Sequence, residues 1–104
     1  MVSKHYNGQR YKREKFIKEH LNGDGNVIDS FIVDKGHKNG LERHDITDNG
    51  IIVIYNARTN LLVSKLIARP QQINRYYYNS GREPPWWLLR LCEWHESMGS
   101  NYKY

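Results

Sequence analysis

Apolar residues recur along this chain in two different rhythms. From about Arg10 to Leu21, Phe16, Ile17, His20 and Leu21 gather on one side while Lys12, Lys15, Lys18 and Glu19 take the other, which predicts an amphipathic helix. Asn22-Gly23 is its stop, because glycine enters left-handed backbone at little cost, and Asp24-Gly25 continues the turn. The rhythm then shortens. Asn26 to Val33 (NVIDSFIV) reads as a strand, followed by the polar loop Asp34 to Gly40. Leu41 to Thr47, the turn Asp48-Asn49-Gly50, and Ile51 to Asn56 form a β-hairpin, and the turn Ala57 to Asn60 leads into a further strand, Leu61 to Ile67.

A two-residue Asn49-Gly50 turn sets Arg43 opposite Asn56 and His44 opposite Tyr55, and the next turn sets Tyr55 opposite Leu62 and Ile52 opposite Lys65. With side chains alternating, Glu42, His44, Ile46, Val53, Tyr55 and Leu66 are expected on one face. Arg43, Asp45, Thr47, Ile52, Ile54, Lys65 and Ile67 are expected on the other. Both faces carry apolar strips, so the pattern leaves open which is core. Helical spacing returns after Pro70, through roughly Tyr78, with Asn79-Ser80-Gly81 as the stop. Pro84-Pro85 opens a last helix, Trp86 to Met98, ended by Gly99. At 100° per residue, Trp87, Leu88, Leu91, Cys92, Trp94, His95 and Met98 form an apolar stripe, with Arg90, Glu93, Glu96 and Ser97 opposite. Trp86 and Leu89 fall on the polar side.

The fold class expected is α+β: a single antiparallel β-meander sheet of about four strands with N-terminal and C-terminal helices packed on one face. Residues 1–9 read as a flexible basic arm and 10–104 as one domain, since 104 residues leave no room for two cores. Only 38% of residues are hydrophobic, so the three Trp and eight Tyr are expected to supply much of the buried area.

Charge changes the picture more than composition does. The formal net charge is +5 and it is unevenly placed. Residues 1–20 hold six Lys/Arg against two Glu, and no acidic side chain occurs between Asp48 and Glu83, where Arg58, Lys65, Arg69, Arg75 and Arg82 fall. Two basic blocks of this kind point to a polyanionic partner, nucleic acid, with RNA ahead of DNA. Lys12, Lys15, Arg43, Arg58, Arg75, Tyr76 and Tyr78 are the candidate contacts. The lone Cys92 allows no internal disulfide, which fits a reducing, cytoplasmic setting. No apolar run approaches the ~20 residues of a membrane span, and the N-terminus lacks the apolar core of a signal peptide.

Candidate chemistry lies in Gly36-His37-Lys38-Asn39-Gly40-Leu41-Glu42-Arg43-His44, which crowds two His, a Glu, an Arg and a Lys. Metal-independent RNA cleavage needs a base for the 2′-hydroxyl, an acid for the leaving 5′-oxygen and a cation for the charged transition state. His37 and His44 suit both proton transfers. The run Ala68 to Tyr78 adds arginines for phosphate, amides for base edges and tyrosine rings for stacking. Its three adjacent tyrosines cannot all face inward. No metal is expected, because Cys92 and His95 stand alone with no CxxC or HExxH spacing, and no nucleotide-cofactor motif is present.

The run ERHDITDNGIIVIYNARTNLLVSKLIARPQQINRYY resembles small phage- and prophage-encoded proteins. In layout the chain is similar to the barnase/colicin/RelE-like (BECR) ribonuclease superfamily. The resemblance implies one or two N-terminal helices before a four-stranded antiparallel sheet, RNA held on the open sheet face, and active residues drawn from His, Arg, Lys, Glu, Thr and Tyr. It makes His37 and His44 the acid/base candidates, with Lys65 and Arg69 as phosphate binders. The alternative is a non-enzymatic phage effector that blocks a host nucleic-acid enzyme, with Trp86 and Leu89 as protein-binding anchors.

Overall fold

A computed structural model describes residues 12–36 and 40–99; the predicted arm, 1–9, lies outside the described residues. Helix α1 covers residues 12–21, and its last turn, Ile17–Leu21, is wound as a π-helix. It stops at Asn22, in left-handed backbone with φ 49°. Four strands follow, β1 (Val27–Asp34), β2 (Leu41–Thr47), β3 (Ile51–Asn56) and β4 (Leu62–Ile67), and then helices α2 (Pro70–Asn79) and α3 (Trp86–Ser97). The sheet is antiparallel throughout in the order β1-β2-β3-β4, so the α+β meander expected from the sequence is the fold observed.

The hairpin register differs by one residue from the expectation. His44 faces Ile54, Arg43 faces Tyr55 and Glu42 faces Asn56. Asp48-Asn49-Gly50 is a three-residue connection in which only Gly50 takes positive φ, at 76°. The Thr47 hydroxyl accepts from the Asn49 and Ile51 backbone N–H groups and holds the turn closed. A three-residue loop of this kind places its left-handed residue last, which moves every pair by one. Tyr55 does face Leu62, but Lys65 meets Val53 rather than Ile52, because β4 carries an irregularity beside Ile54 and Tyr55.

The corrected register sorts the side chains. Phe31, Ile46, Ile52 and Ile54 point to one face and pack with Ala68, Ile73, Tyr77, Leu88 and Cys92 of the region spanning α2 and α3. Ile51, Val53 and Ile67 point to the other and pack with Phe16, Ile17 and Leu21 of α1. The helices therefore cover opposite faces, not one. The reason is local: α1 carries its own apolar stripe, and alternation leaves Ile51, Val53 and Ile67 in need of cover.

Two helix expectations also change. In α3 the buried stripe is Leu88, Cys92 and His95, with Leu89 half-buried against the core, while Trp87 and Trp94 join Trp86 on the exposed side. Three smaller residues pack closer to the sheet than indole rings could. In α2 the tyrosines divide as geometry demands: Tyr77 is buried, Tyr76 half-buried and Tyr78 exposed. The Tyr77 hydroxyl donates to Asp29 of β1, and Arg82 closes on the same carboxylate at 3.1 and 3.2 Å. Burial raises the Asp29 pKa, but the Tyr77 hydrogen bond and the Arg82 guanidinium outweigh it and hold the carboxyl below its ordinary value. This cross-link fixes α2 over β1 and so sets what lies between them.

Candidate functional site

Strand β2 presents Glu42 and His44 on the face covered by α2, two positions apart and therefore side by side. Helix α2 presents Gln72, Arg75, Tyr76 and Asn79 at i, i+3, i+4 and i+7, one stripe beside its core residues Ile73 and Tyr77. Where these stripes meet, a cavity of about 200 Å³ is lined by Val33, Lys35, His44, Gln72, Arg75, Tyr76 and Asn79. His44, only 6% exposed, is buried at its base. Lys35 and Arg75 are exposed cations at its margin.

Both ring nitrogens of His44 are engaged by protein groups. Nε2 lies 2.9 Å from Glu42 Oε1 and Nδ1 lies 2.5 Å from the Tyr76 hydroxyl. A carboxylate only accepts, so the hydrogen of the neutral imidazole sits on Nε2, and Nδ1 accepts from the phenol. The Tyr76 ring is held by Phe31, stacked at 5.4 Å between centroids. Burial and then the negative Glu42 push the Tyr76 pKa up to about 12, with Arg75 pulling the other way. The phenol therefore keeps its proton at neutral pH and can donate it. Glu42, His44 and Tyr76 form one hydrogen-bonded chain ending at the cavity.

Other predicted residues lie elsewhere. His37 is outside the described residues. Lys65 is on the opposite face from His44, bound to Asp24 at 2.9 Å, and so does not share a site with it. The alternation of β4 decides this, because Ser64 and Leu66, not Lys65, point toward α2. Arg69 caps the start of α2, its backbone N–H donating to Gln72 Oε1, and is not among the cavity-lining residues. Arg43 also faces away: it bonds Asp45 at 3.0 Å and Asn60 at 2.8 Å, and lies 4.6 Å over the Tyr55 ring. Lys12 and Lys15 are exposed on α1, Arg58 is exposed in the β3–β4 turn, and Tyr78 is exposed on α2. Of the candidates read from the sequence, the structure brings together His44, Arg75 and Tyr76.

The sequence singled out none of Glu42, Lys35, Gln72 and Asn79 individually, although Glu42 falls in the Gly36 to His44 run and Gln72 among the amides of the Ala68 to Tyr78 run. The i, i+3, i+4, i+7 spacing on α2 and the i, i+2 spacing on β2 were the available signals, but nothing local says that those two stripes face one another. Among the described residues no three His, Cys, Asp or Glu side chains stand close enough to share a metal ion. None of their helices is long and apolar enough to cross a membrane. No family model, curated protein or solved structure matches the chain.

Proposed function

We propose that the protein binds RNA at the cavity between β2 and α2 and cleaves it without a metal ion. The observation that carries this reading is a buried histidine bonded on both sides, to Glu42 and to a protonated tyrosine, beneath two exposed cations. In the reaction a 2′-oxygen attacks the adjacent phosphorus and the bond from phosphorus to the 5′-oxygen breaks. Tyr76 takes the 2′-hydroxyl proton while passing its own to His44 Nδ1, and Glu42 steadies the imidazolium that forms. Arg75 and Lys35 bind the phosphate and offset its developing charge. His37 remains the candidate for returning a proton to the leaving 5′-oxygen. The amides Gln72 and Asn79 line the same cavity and supply donors and acceptors for a base edge.

His44 thus acts through Tyr76, which is a different assignment from a histidine that meets the substrate itself. Incubation of mixed-sequence RNA with purified protein in excess EDTA tests it. Wild type should leave 2′,3′-cyclic phosphate ends, and Tyr76→Phe should lose ~10²–10⁴ in rate while staying folded. Absence of cleavage by wild type on every RNA tried, or full cleavage by Tyr76→Phe, contradicts the proposal.

A non-catalytic reading draws on the exposed basic side chains Lys12, Lys15, Arg58 and Arg75 with Tyr78. In that reading the protein occupies a host nucleic-acid enzyme or its polyanion without chemistry. RNA binding that persists in a His44→Ala variant, with no cleavage by wild type, is the pattern it requires.

A further inference from the structure

Helix α3 leaves its three tryptophans outside: Trp86 is 74% exposed, Trp87 38% and Trp94 52%. At ~250 Å² for a whole indole side chain these fractions leave roughly 400 Å² of tryptophan surface on one helix. That is about half of the ~800 Å² each partner buries in a stable interface. Arg90, Glu93 and Ser97 lie between the rings and are also exposed. Neither Arg90 nor Glu93 has an ion-pair partner among the described residues. An aromatic face of this size with unpaired charges of both signs at its centre is built for a protein surface.

The order of residues on that face says which surface. Trp86, Arg90, Glu93 and Ser97 follow one another at four-, three- and four-residue steps, the seam spacing of two helices packed along their length. We propose that the occupant is a second copy of this chain, with α3 packed antiparallel on α3 about a two-fold axis. Setting Arg90 against Glu93 of the second copy fixes every other pair. Glu93 then meets Arg90 of the second copy, and each Trp86 meets a Ser97, a large ring against a small side chain. On one flank, Trp87 lies beside Trp94 of the second copy, and Trp94 beside Trp87. The seam is therefore complementary to itself in charge and in size, as an interface made of the same patch twice must be. A parallel arrangement would set Arg90 on Arg90 and Glu93 on Glu93, and like charges facing each other disfavour it.

Sedimentation of the intact protein over micromolar concentrations tests this. Wild type should pass reversibly from the 12.4 kDa chain to twice that mass. Arg90→Glu and Glu93→Arg should each weaken the dimer on the order of 100-fold, since each puts like charges at the centre. An equimolar mixture of the two single variants should form a heterodimer at wild-type strength, because both central pairs are again opposite in sign. The double variant Arg90→Glu/Glu93→Arg should do the same with itself. Both positions are exposed on α3, so circular dichroism should report unchanged folding. Wild type that stays monomeric throughout overturns the proposal. So does a dimer that ignores the single charge reversals, or one that mixing does not restore.

Discussion

Strand β2 reads Glu42-Arg43-His44-Asp45, and alternation sends these four residues into two clusters on opposite faces of one sheet. Each cluster pairs a carboxylate with a basic side chain two positions away. On one face Arg43 bonds Asp45, Asp45 accepts from Ser30 at 2.7 Å, and Arg43 also reaches Asn60 and lies over Tyr55. Every member of that group is answered by a neighbour within the strands and their turn. On the other face Glu42 bonds His44 and His44 bonds Tyr76, but the chain ends at a cavity with Lys35 and Arg75 at its margin. The first cluster is closed and the second is open. The same residue chemistry, one position out of phase, serves structure on one side and offers a candidate site on the other.

The largest effect that can break this comparison is on rate. His44→Gln should lower RNA cleavage by ~10²–10⁴ while the protein stays folded, whereas Asp45→Asn should leave the rate within a few-fold. If both variants lose cleavage equally while folded, the two faces are not functionally distinct. Substrate binding comes next. Arg75→Ala should weaken binding to single-stranded RNA and lower its salt slope by about 0.7, the share of one phosphate contact, while Lys65→Ala, already tied to Asp24, should leave the slope unchanged. A filter-binding series over salt reads both.

Stability should show the reverse order. Asp45→Ala leaves the Ser30 hydroxyl and the partly exposed Arg43 guanidinium without their shared acceptor, for a loss of ~1–3 kcal/mol in urea unfolding. Arg75→Ala should cost less than ~0.5 kcal/mol, as an exposed side chain does.

The smallest effect concerns His95, a third buried group that belongs to neither cluster. It is fully buried on α3, close to Gly50 and Cys92, and neither ring nitrogen has a hydrogen-bond partner among the described residues. Burial lowers its pKa below the ordinary histidine value. The unfolded chain therefore takes up this proton first, so its contribution to stability is full above ~6.5 and declines as pH falls below that. The stability difference between wild type and His95→Leu should grow in favour of the variant on going from neutral to mildly acid pH. Its slope should not exceed ~1.4 kcal/mol per pH unit. A difference that is flat across that range would mean that burial leaves His95 titrating in the fold as it does in the unfolded chain.

Every strand and helix among the described residues was legible in the chain. The two-residue alternation of β1 to β4, the glycines and asparagines between them, and the prolines ahead of α2 and α3 are signals carried by neighbouring residues, and local sterics act on neighbours. The basic bias of residues 58–82 was equally plain. Other features depended on what one element meets in another. A single left-handed Gly50 in place of two such positions shifted the register and moved Ile52 and Ile54 to the face of His44. A helical wheel ranks side chains by polarity, but close approach to the sheet selected Leu88, Cys92 and His95 over larger indoles. Glu42, Tyr76, Arg75 and Lys35 came together from β2, α2 and the end of β1, while Lys65 stayed on the face opposite His44, where strand alternation alone had already set it. Spacing along a chain determines which residues share a stripe. Which two stripes face each other is decided only when α2 is pinned over β1 by Tyr77, Asp29 and Arg82, contacts between residues 48 and 53 positions apart that no local pattern encodes.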